Sequence, residues 1–267
     1  MTISWWRSMG PNQFSGMLTC PRRVTLWIYG DQDRGIRARS SRRGDTVIDA
    51  DNINIMKGNL MHDSIQGLFI EGIFSEEQYE HAYAVMKYAS DEKMWTDEMI
   101  DLLEPEHRTM ESGKWIHKDD VKAVYKALKK FRKYLYSNGL EKYIWTSEYR
   151  IEGTITSGVW GEIHLRGDVD LRGEDSEGNI ILLELKSPHE WKEQWRTQIE
   201  LYGLMQPDSV EQLIVWSPRR KSSCSLEEGV EHVNPVLNPE ERYETNPTKW
   251  ICEKCPDTLC RDRSPWC

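Results

Sequence analysis

Asp170, Glu184 and Lys186 are charged residues placed where strands should run. The stretch GDVDLRGEDSEGNIILLELKS, residues 167–187, reads as two extended segments joined by a turn. Side chains alternate along IILLELK, so Ile180, Leu182, Glu184 and Lys186 share one face while Ile181, Leu183 and Leu185 take the other. Folding back through GEDSEGN brings Asp170 opposite the C-terminal half of its partner, within reach of Glu184. Two carboxylates at that range repel unless a cation sits between them, and a neighbouring lysine neutralises or orients what binds there. That is the chemistry of a divalent-metal hydrolytic site. The competing reading is an edge strand with a surface ion pair, and a Glu-x-Lys alone carries almost no weight against it. Two features favour the site. The strand is otherwise continuously apolar, which sets its charges at the rim of a buried sheet. The helix that follows, PHEWKEQWRTQIELYGLM, sets Trp191, Trp195, Gln198 and Tyr202 on one stripe; such a stripe is usually core, but a Gln and a Tyr on it beside the carboxylates could grip a sugar-phosphate chain.

The elements that must position these residues are legible as changes of period. GNLMHDSIQGLFIEGIF has helical spacing at Leu60, Ile65 and Leu68, and a capping box from Ser75 to Gln78 opens another helix through about Ala89. Val121, Val124, Tyr125, Leu128, Phe131 and Leu135 recur at three and four residues in a third helix, stopped by Asn138-Gly139. Its outer face carries Lys122, Lys126, Lys129, Lys130 and Lys133. Beyond it the period becomes extended in YIWTSEYRI, VWGEIHLRGDVDL and NIILLELKS; a helix and the buried strand VEQLIVWSP follow. Helices, three strands, a helix and a strand predict an α/β domain with a mixed sheet. The segment DQDRGIRARSSRRGDTVIDADN reads as a loop. There is no internal repeat.

With 35 basic and 44 acidic residues the net charge is −9, so the whole chain has no attraction for a phosphate backbone. Local patches must supply any: residues 1–50 hold eight Arg, no Lys and four acids, and KALKKFRK and PRRK are further basic clusters. For any one of these a solvated face is the default. The first residues lack the apolar core of a signal peptide, and nowhere do about 18 apolar residues run together. The expectation is a cytoplasmic protein with no membrane span. Disulfides are then poor candidates for six cysteines, four of which (Cys252, Cys255, Cys260, Cys267) fall in the last sixteen residues. A metal explains them better, because the tail NPTKWICEKCPDTLCRDRSPWC has too few aliphatic residues to form a core. Cys224 lies apart and reads as a plain thiol.

The succession Gly167-x-x-Asp170, Glu184-x-Lys186 and Gln198-x-x-x-Tyr202 resembles the RecB-like branch of the PD-(D/E)XK nuclease superfamily, in that family's order. GNLMH matches its upstream Gly-x-x-x-His, with Gly58 and His62. TCPRR around Cys20 and CEKCPDTLC near the end are similar to the cysteine elements of the CRISPR-associated exonucleases with an iron–sulfur cluster, shared with AddB-type helicase-nucleases. The resemblance runs from Cys20 to Cys260. It implies a single restriction-endonuclease-like domain over 1–267: an N-terminal cysteine segment and basic loop (1–57), a helical region (58–141), the nuclease core (142–220) and a cysteine-rich tail (221–267). It also implies that Cys20 joins Cys252, Cys255 and Cys260 around a [4Fe-4S] cluster, clasping the tail to the start of the chain. The family usually has five residues between the second and third clustered cysteines; here four separate Cys255 from Cys260, and Cys267 is a rival third ligand. A zinc ion held by Cys252, Cys255, Cys260 and Cys267 is the alternative.

The same resemblance implies that His62, Asp170, Glu184 and the backbone carbonyl of Leu185 hold Mg²⁺ or Mn²⁺, the imidazole favouring Mn²⁺. Lys186 would orient the attacking water, and Gln198 and Tyr202 would position the strand. Glu148 stands where related nucleases often carry an acid, and Asp168 is a rival to Asp170, expected on the opposite face. The implied activity is a metal-dependent exonuclease acting on single-stranded DNA ends, in CRISPR spacer acquisition alongside integrase proteins or in recombination and repair. The Arg-rich N-terminus and the Lys face of the third helix would form its funnel. The rival from another class is a nuclease-fold DNA-end binding subunit of an adaptation complex with little turnover.

Overall fold

Upstream of Gly139 the chain builds helices. The computed structural model describes residues 10–18, 53–108, 112–186, 192–206 and 210–238. It has α1 (Pro11–Leu18), α2 (Ile53–Gln66), the hairpin β1 (Phe69–Ile70) and β2 (Ile73–Phe74), α3 (Glu76–Glu92), the short α4 (Asp97–Asp101) and α5 (Lys118–Ser137). The Ser75 side chain accepts from the Gln78 N–H at 3.2 Å and caps α3, as the sequence pattern predicts. α5 buries Val121, Val124, Leu128, Phe131 and Leu135 and leaves Lys126, Lys129, Lys130 and Lys133 exposed. The β1–β2 hairpin interrupts what reads as helical spacing. Glu71 (φ 51°) and Gly72 (φ 81°) both take left-handed backbone and form its two-residue turn.

After Gly139 the chain builds one sheet. β3 (Ile144–Ser157), β4 (Gly161–Glu174), β5 (Ile180–Leu185), β6 (Val210–Trp216) and β7 (Lys221–Ser225) lie in that spatial order. All neighbours are antiparallel except β5 and β6, which run parallel and are joined through α6 (Glu193–Met205). The last described element is α7 (Leu226–Leu237). The fold is mixed α/β, a five-stranded mixed sheet flanked by helices. The sheet reaches past residue 220, into what reads as the cysteine-rich tail: Lys221–Ser225 is its edge, and a full capping box between Ser225 and Glu228 opens α7. KSSCS hides its strand character because it buries one side chain, Cys224.

The sheet separates two apolar cores. One lies with α2, α3 and α5 and takes Ile181, Leu183 and Leu185 from β5; the other lies with α1, α6 and α7 and takes Ile180 and Leu182. All six residues of β5 are buried, as the strand's continuous apolarity predicts. β3 and β4 do something else. In β3, Ile151 and Ile155 belong to the α6-side core but Trp145 to the other; in β4, Ile163, Leu165 and Val169 belong to the α6 side but Leu171 to the other. Strict alternation would keep these odd-numbered residues on one face. Both strands therefore change sides, at Glu148 and Asp170. Glu148 has φ 47°, and the ladder register pairs Ser147 with Leu171 and Tyr149 with Val169 but omits the pair between them. Among the described residues no helix is long and apolar enough to cross a membrane. The expected loop at 31–52, Trp191, Cys20 and the four tail cysteines lie outside the described residues.

Candidate active site

The seam where β3 and β4 change sides is also where β4 and β5 part. Their ladder ends at Leu171 opposite Leu183, so the next facing residues are Asp170 and Glu184. In place of a further backbone bond, Asp170 Oδ2 accepts the Leu185 N–H at 2.6 Å, deep in the protein. Within a strand, alternate residues address opposite neighbours, so the Leu185 carbonyl leaves toward Asp170 as its N–H does. Glu184 projects to the α6 side. Its Oε1 accepts from Lys186 Nζ at 2.6 Å and from Gln198 Nε2 at 2.7 Å. Its Oε2 is buried and has no hydrogen-bond partner among the described residues, as is true of Gln198 Oε1. From the other side of the sheet α2 supplies His62, whose Nδ1 stands 3.6 Å from Asp170 Oδ1, ion-pair range and longer than a hydrogen bond.

Four ionisable groups thus share one poorly solvated volume, and each shifts another. Burial, then the charge of Asp170, pushes the Glu184 carboxyl up to about 7. Burial would raise Asp170 as well, but the charge of His62, then that of Lys186 and the bond from Leu185 outweigh it and hold its pKa below the usual carboxylate range. Burial would lower His62 and Lys186; Asp170 raises the imidazole, and Glu184 and Asp170 raise the ammonium. Two carboxylates are pulled apart in this way wherever like charges sit together in low dielectric. Lys186 and His62 are their counter-charges.

Among the described residues no three or more His, Cys, Asp or Glu side chains are arranged as a group that could hold a metal ion, His62, Asp170 and Glu184 included. The donors nevertheless fit a hard-to-borderline divalent cation: an imidazole, two carboxylates, a carbonyl, and in Glu184 Oε2 a buried anionic oxygen with nothing to satisfy it. Burying such an atom unpaired costs free energy that a bound cation would recover.

The structure brings His62, Asp170, Glu184, Leu185, Lys186 and Gln198 together. It ties Gln198 and Tyr202 into the protein itself. Both are buried, Gln198 holding Glu184 and the Tyr202 hydroxyl donating to the Asp168 carbonyl at 2.8 Å. Gly167 has a packing reason: a Cβ there would stand 2.7 Å from the Tyr202 hydroxyl and 2.8 Å from Pro11 Cδ. Gly58 has none, with open space around it. Asp168 is turned away onto Arg150, whose Nη2 donates to it at 2.9 Å. Alternation is not the reason, since residues two apart share a face; the irregularity at Asp170 separates them. Gln66, which the sequence pattern does not single out, ties the site together. Its Nε2 donates to Glu148 Oε1 at 2.6 Å and to the Asp170 carbonyl at 3.2 Å, bridging the gap in the β3–β4 ladder. Its one signal in the sequence is its spacing, one turn beyond His62 on the same face of α2.

No family model matches the chain, and no curated protein matches it. Among solved structures it is similar to one described as "Crystal structure of SSO0001", at 13% identity, covering 78% of this chain and 95% of that one, with a TM-score of 0.29. A likeness at that level carries no argument about family or activity.

Proposed function

We propose that this protein is a divalent-metal-dependent deoxyribonuclease whose sheet is a restriction-endonuclease-like core, and that it hydrolyses single-stranded DNA from an end. The observation that carries the reading is the buried pair Asp170 and Glu184, beside Lys186, with Glu184 Oε2 unsatisfied. A module that only binds DNA gains nothing from burying carboxylates next to phosphate. His62, Asp170, Glu184 and the Leu185 carbonyl would hold Mn²⁺ or Mg²⁺, which when bound polarises a phosphodiester and acidifies a water. The chain's own residues supply the rest. The Leu185 N–H fixes one oxygen of Asp170, whose other oxygen stands near His62, and Gln198 and Lys186 fix one oxygen of Glu184. Lys186, kept charged by both carboxylates, would orient a water for in-line attack and stabilise charge developing on phosphate.

In the same reading Cys20, Cys252, Cys255 and Cys260 carry a [4Fe-4S] cluster, with Cys267 the rival third tail ligand and Zn²⁺ the alternative metal. The activity would serve CRISPR spacer acquisition, beside integrase proteins, or recombination and repair. The test is incubation of anaerobically purified protein with end-labelled single-stranded DNA and Mn²⁺, beside Lys186→Ala and a chelator control. Loss of full-length DNA in the wild type alone is expected. Equal inertness of both proteins, with DNA still bound, would move the weakly active DNA-end binding subunit ahead. Iron and sulfide against zinc in the same preparation decides the cysteine metal.

A further inference from the structure

We propose that α5 and the β6–β7 turn form one docking surface for a nucleic-acid phosphate backbone, placed to receive the strand as it leaves the carboxylate site. The polymer's identity rests on the nuclease reading; the surface rests on three observations of its own. The first is a cavity of about 660 Å³ on the outer face of α5, lined by Lys126, Lys129, Lys130, Arg132 and Lys133. Glu76 is the one acid in its lining, and Arg132 at 2.8 Å and the Tyr136 hydroxyl at 2.7 Å already occupy it.

The second is a remote segment joined to this face. The β6–β7 turn carries Arg219, Arg220 and Lys221, all exposed. Lys130 Nζ donates to the Pro218 carbonyl at 2.8 Å, and Lys221 Nζ stands 4.5 Å from the centre of the Tyr134 ring. KALKKFRK and PRRK, separate clusters in the sequence, are therefore one strip. The third is the strip's position. The Lys186 N–H donates to the Trp216 carbonyl at 2.8 Å, and Pro218 follows two residues later. Trp216 is thus one strand over from Lys186, a step of about 4.8 Å, and the turn that follows it carries the end of the strip on the α5 side of the sheet.

An ordinary solvated helix face mixes its signs, because Glu and Lys one turn apart stabilise it. Residues 121–140 contain no Asp or Glu, and Lys126 with Lys130 and Lys129 with Lys133 are like-charged pairs one turn apart. Such pairs destabilise an isolated helix. In a chain of net charge −9, this local positive surface suits a polyanion that neutralises it. A phosphate backbone is favoured over an acidic polypeptide because the strip ends in the turn that follows β6, the strand beside Lys186 of the phosphate-directed site.

The test is fluorescence anisotropy of labelled oligothymidylate in chelator, so that nothing is cut, over a salt series. The proteins are the wild type, Lys126→Glu/Lys129→Glu/Lys133→Glu, the corresponding triple Arg variant, and Arg219→Glu. All the substituted side chains are exposed, and circular dichroism checks the fold. The triple Glu variant is expected to bind on the order of tenfold more weakly, with a salt slope shallower by about 2, roughly 0.7 for each lost phosphate contact. The triple Arg variant should bind like the wild type, and Arg219→Glu should weaken binding with a smaller change of slope. Unchanged affinity and slope in the triple Glu variant would overturn the proposal. So would competition by polyglutamate as effective as that by oligonucleotide of equal charge, which would assign the strip to an acidic polypeptide. Neither result depends on cleavage, so the strip can fail or stand even in a chain that cuts nothing.

Discussion

Glu184 sets a cost on the fold that pH and metal should each relieve. An ordinary glutamate ionises near 4.3, and in this protein burial and then Asp170 push Glu184 up to about 7. Between those values the folded state keeps a proton that the unfolded chain has lost, so stability falls as pH rises through the interval. The displacement corresponds to on the order of 3 kcal/mol, absent below about pH 4 and complete above about pH 7. Glu184→Gln keeps the volume and an oxygen that accepts from Lys186 and Gln198 but has no charge to bury. It also deprives Lys186 of the counter-charge that Glu184 supplies once ionised, an attraction already contained in the raised value of Glu184. The quantity to measure is therefore the difference in unfolding free energy, variant minus wild type, from urea melts in chelator between about pH 4.5 and pH 8. It should grow by on the order of 3 kcal/mol across the interval, titrating groups remote from the site cancelling between the two proteins. At about pH 8, Mn²⁺ at roughly a hundred times its Kd should stabilise the wild type by about 2.7 kcal/mol and the variant by less. Parallel stability curves through the interval would refute the claim that Glu184 is buried as a disfavoured anion.

Three further changes probe the supporting residues. Tyr202→Phe removes the bond to the Asp168 carbonyl and should cost about 1 kcal/mol in a urea melt with oligonucleotide affinity unchanged; weaker binding at unchanged stability would return Tyr202 to the ligand strand. Gly167→Ala drives a methyl group against the Tyr202 hydroxyl and Pro11 and should cost about 1–3 kcal/mol; an unaltered melt would show that α1 and α6 are not pressed closely on β4. Gln66→Ala releases Glu148 and the Asp170 carbonyl and should weaken Mn²⁺ binding by roughly 10–100-fold in calorimetry while circular dichroism is unchanged. Unchanged Mn²⁺ affinity would leave Gln66 a role in the fold alone.

The parts of this fold that are legible in the sequence are those with a long, single period. α5 repeats its apolar residues over about four turns, and β5 is apolar but for Glu184, so both stand out from their surroundings. Asp170 facing Glu184 follows from the turn and strand alternation alone. What escapes is short or mixed: two-residue strands at β1 and β2, the single buried side chain of β7, and α7, whose Asn234-Pro235 obscures a helix that the Ser225–Glu228 capping box announces. Gln198 and Tyr202 show that they share a stripe but not what they hold, because a helical period fixes a face and not a partner. The change of sides in β3 and β4 is invisible for a physical reason. Alternating patterns before and after Glu148 and Asp170 keep the same parity, so only the backbone reveals that the faces have been exchanged.

That exchange binds the chemistry to the cooperativity of the molecule. β3 and β4 each anchor one half in the core beneath α6 and the other half in the core beneath α2, α3 and α5, and the carboxylate of Asp170 sits between the anchors. Neither layer can loosen alone without pulling on the strand that carries it. Breathing of a helix at the periphery is then shared between two cores rather than relieved at the site, and the amides of Leu171, Leu183 and Leu185 should exchange with solvent only as the whole domain unfolds.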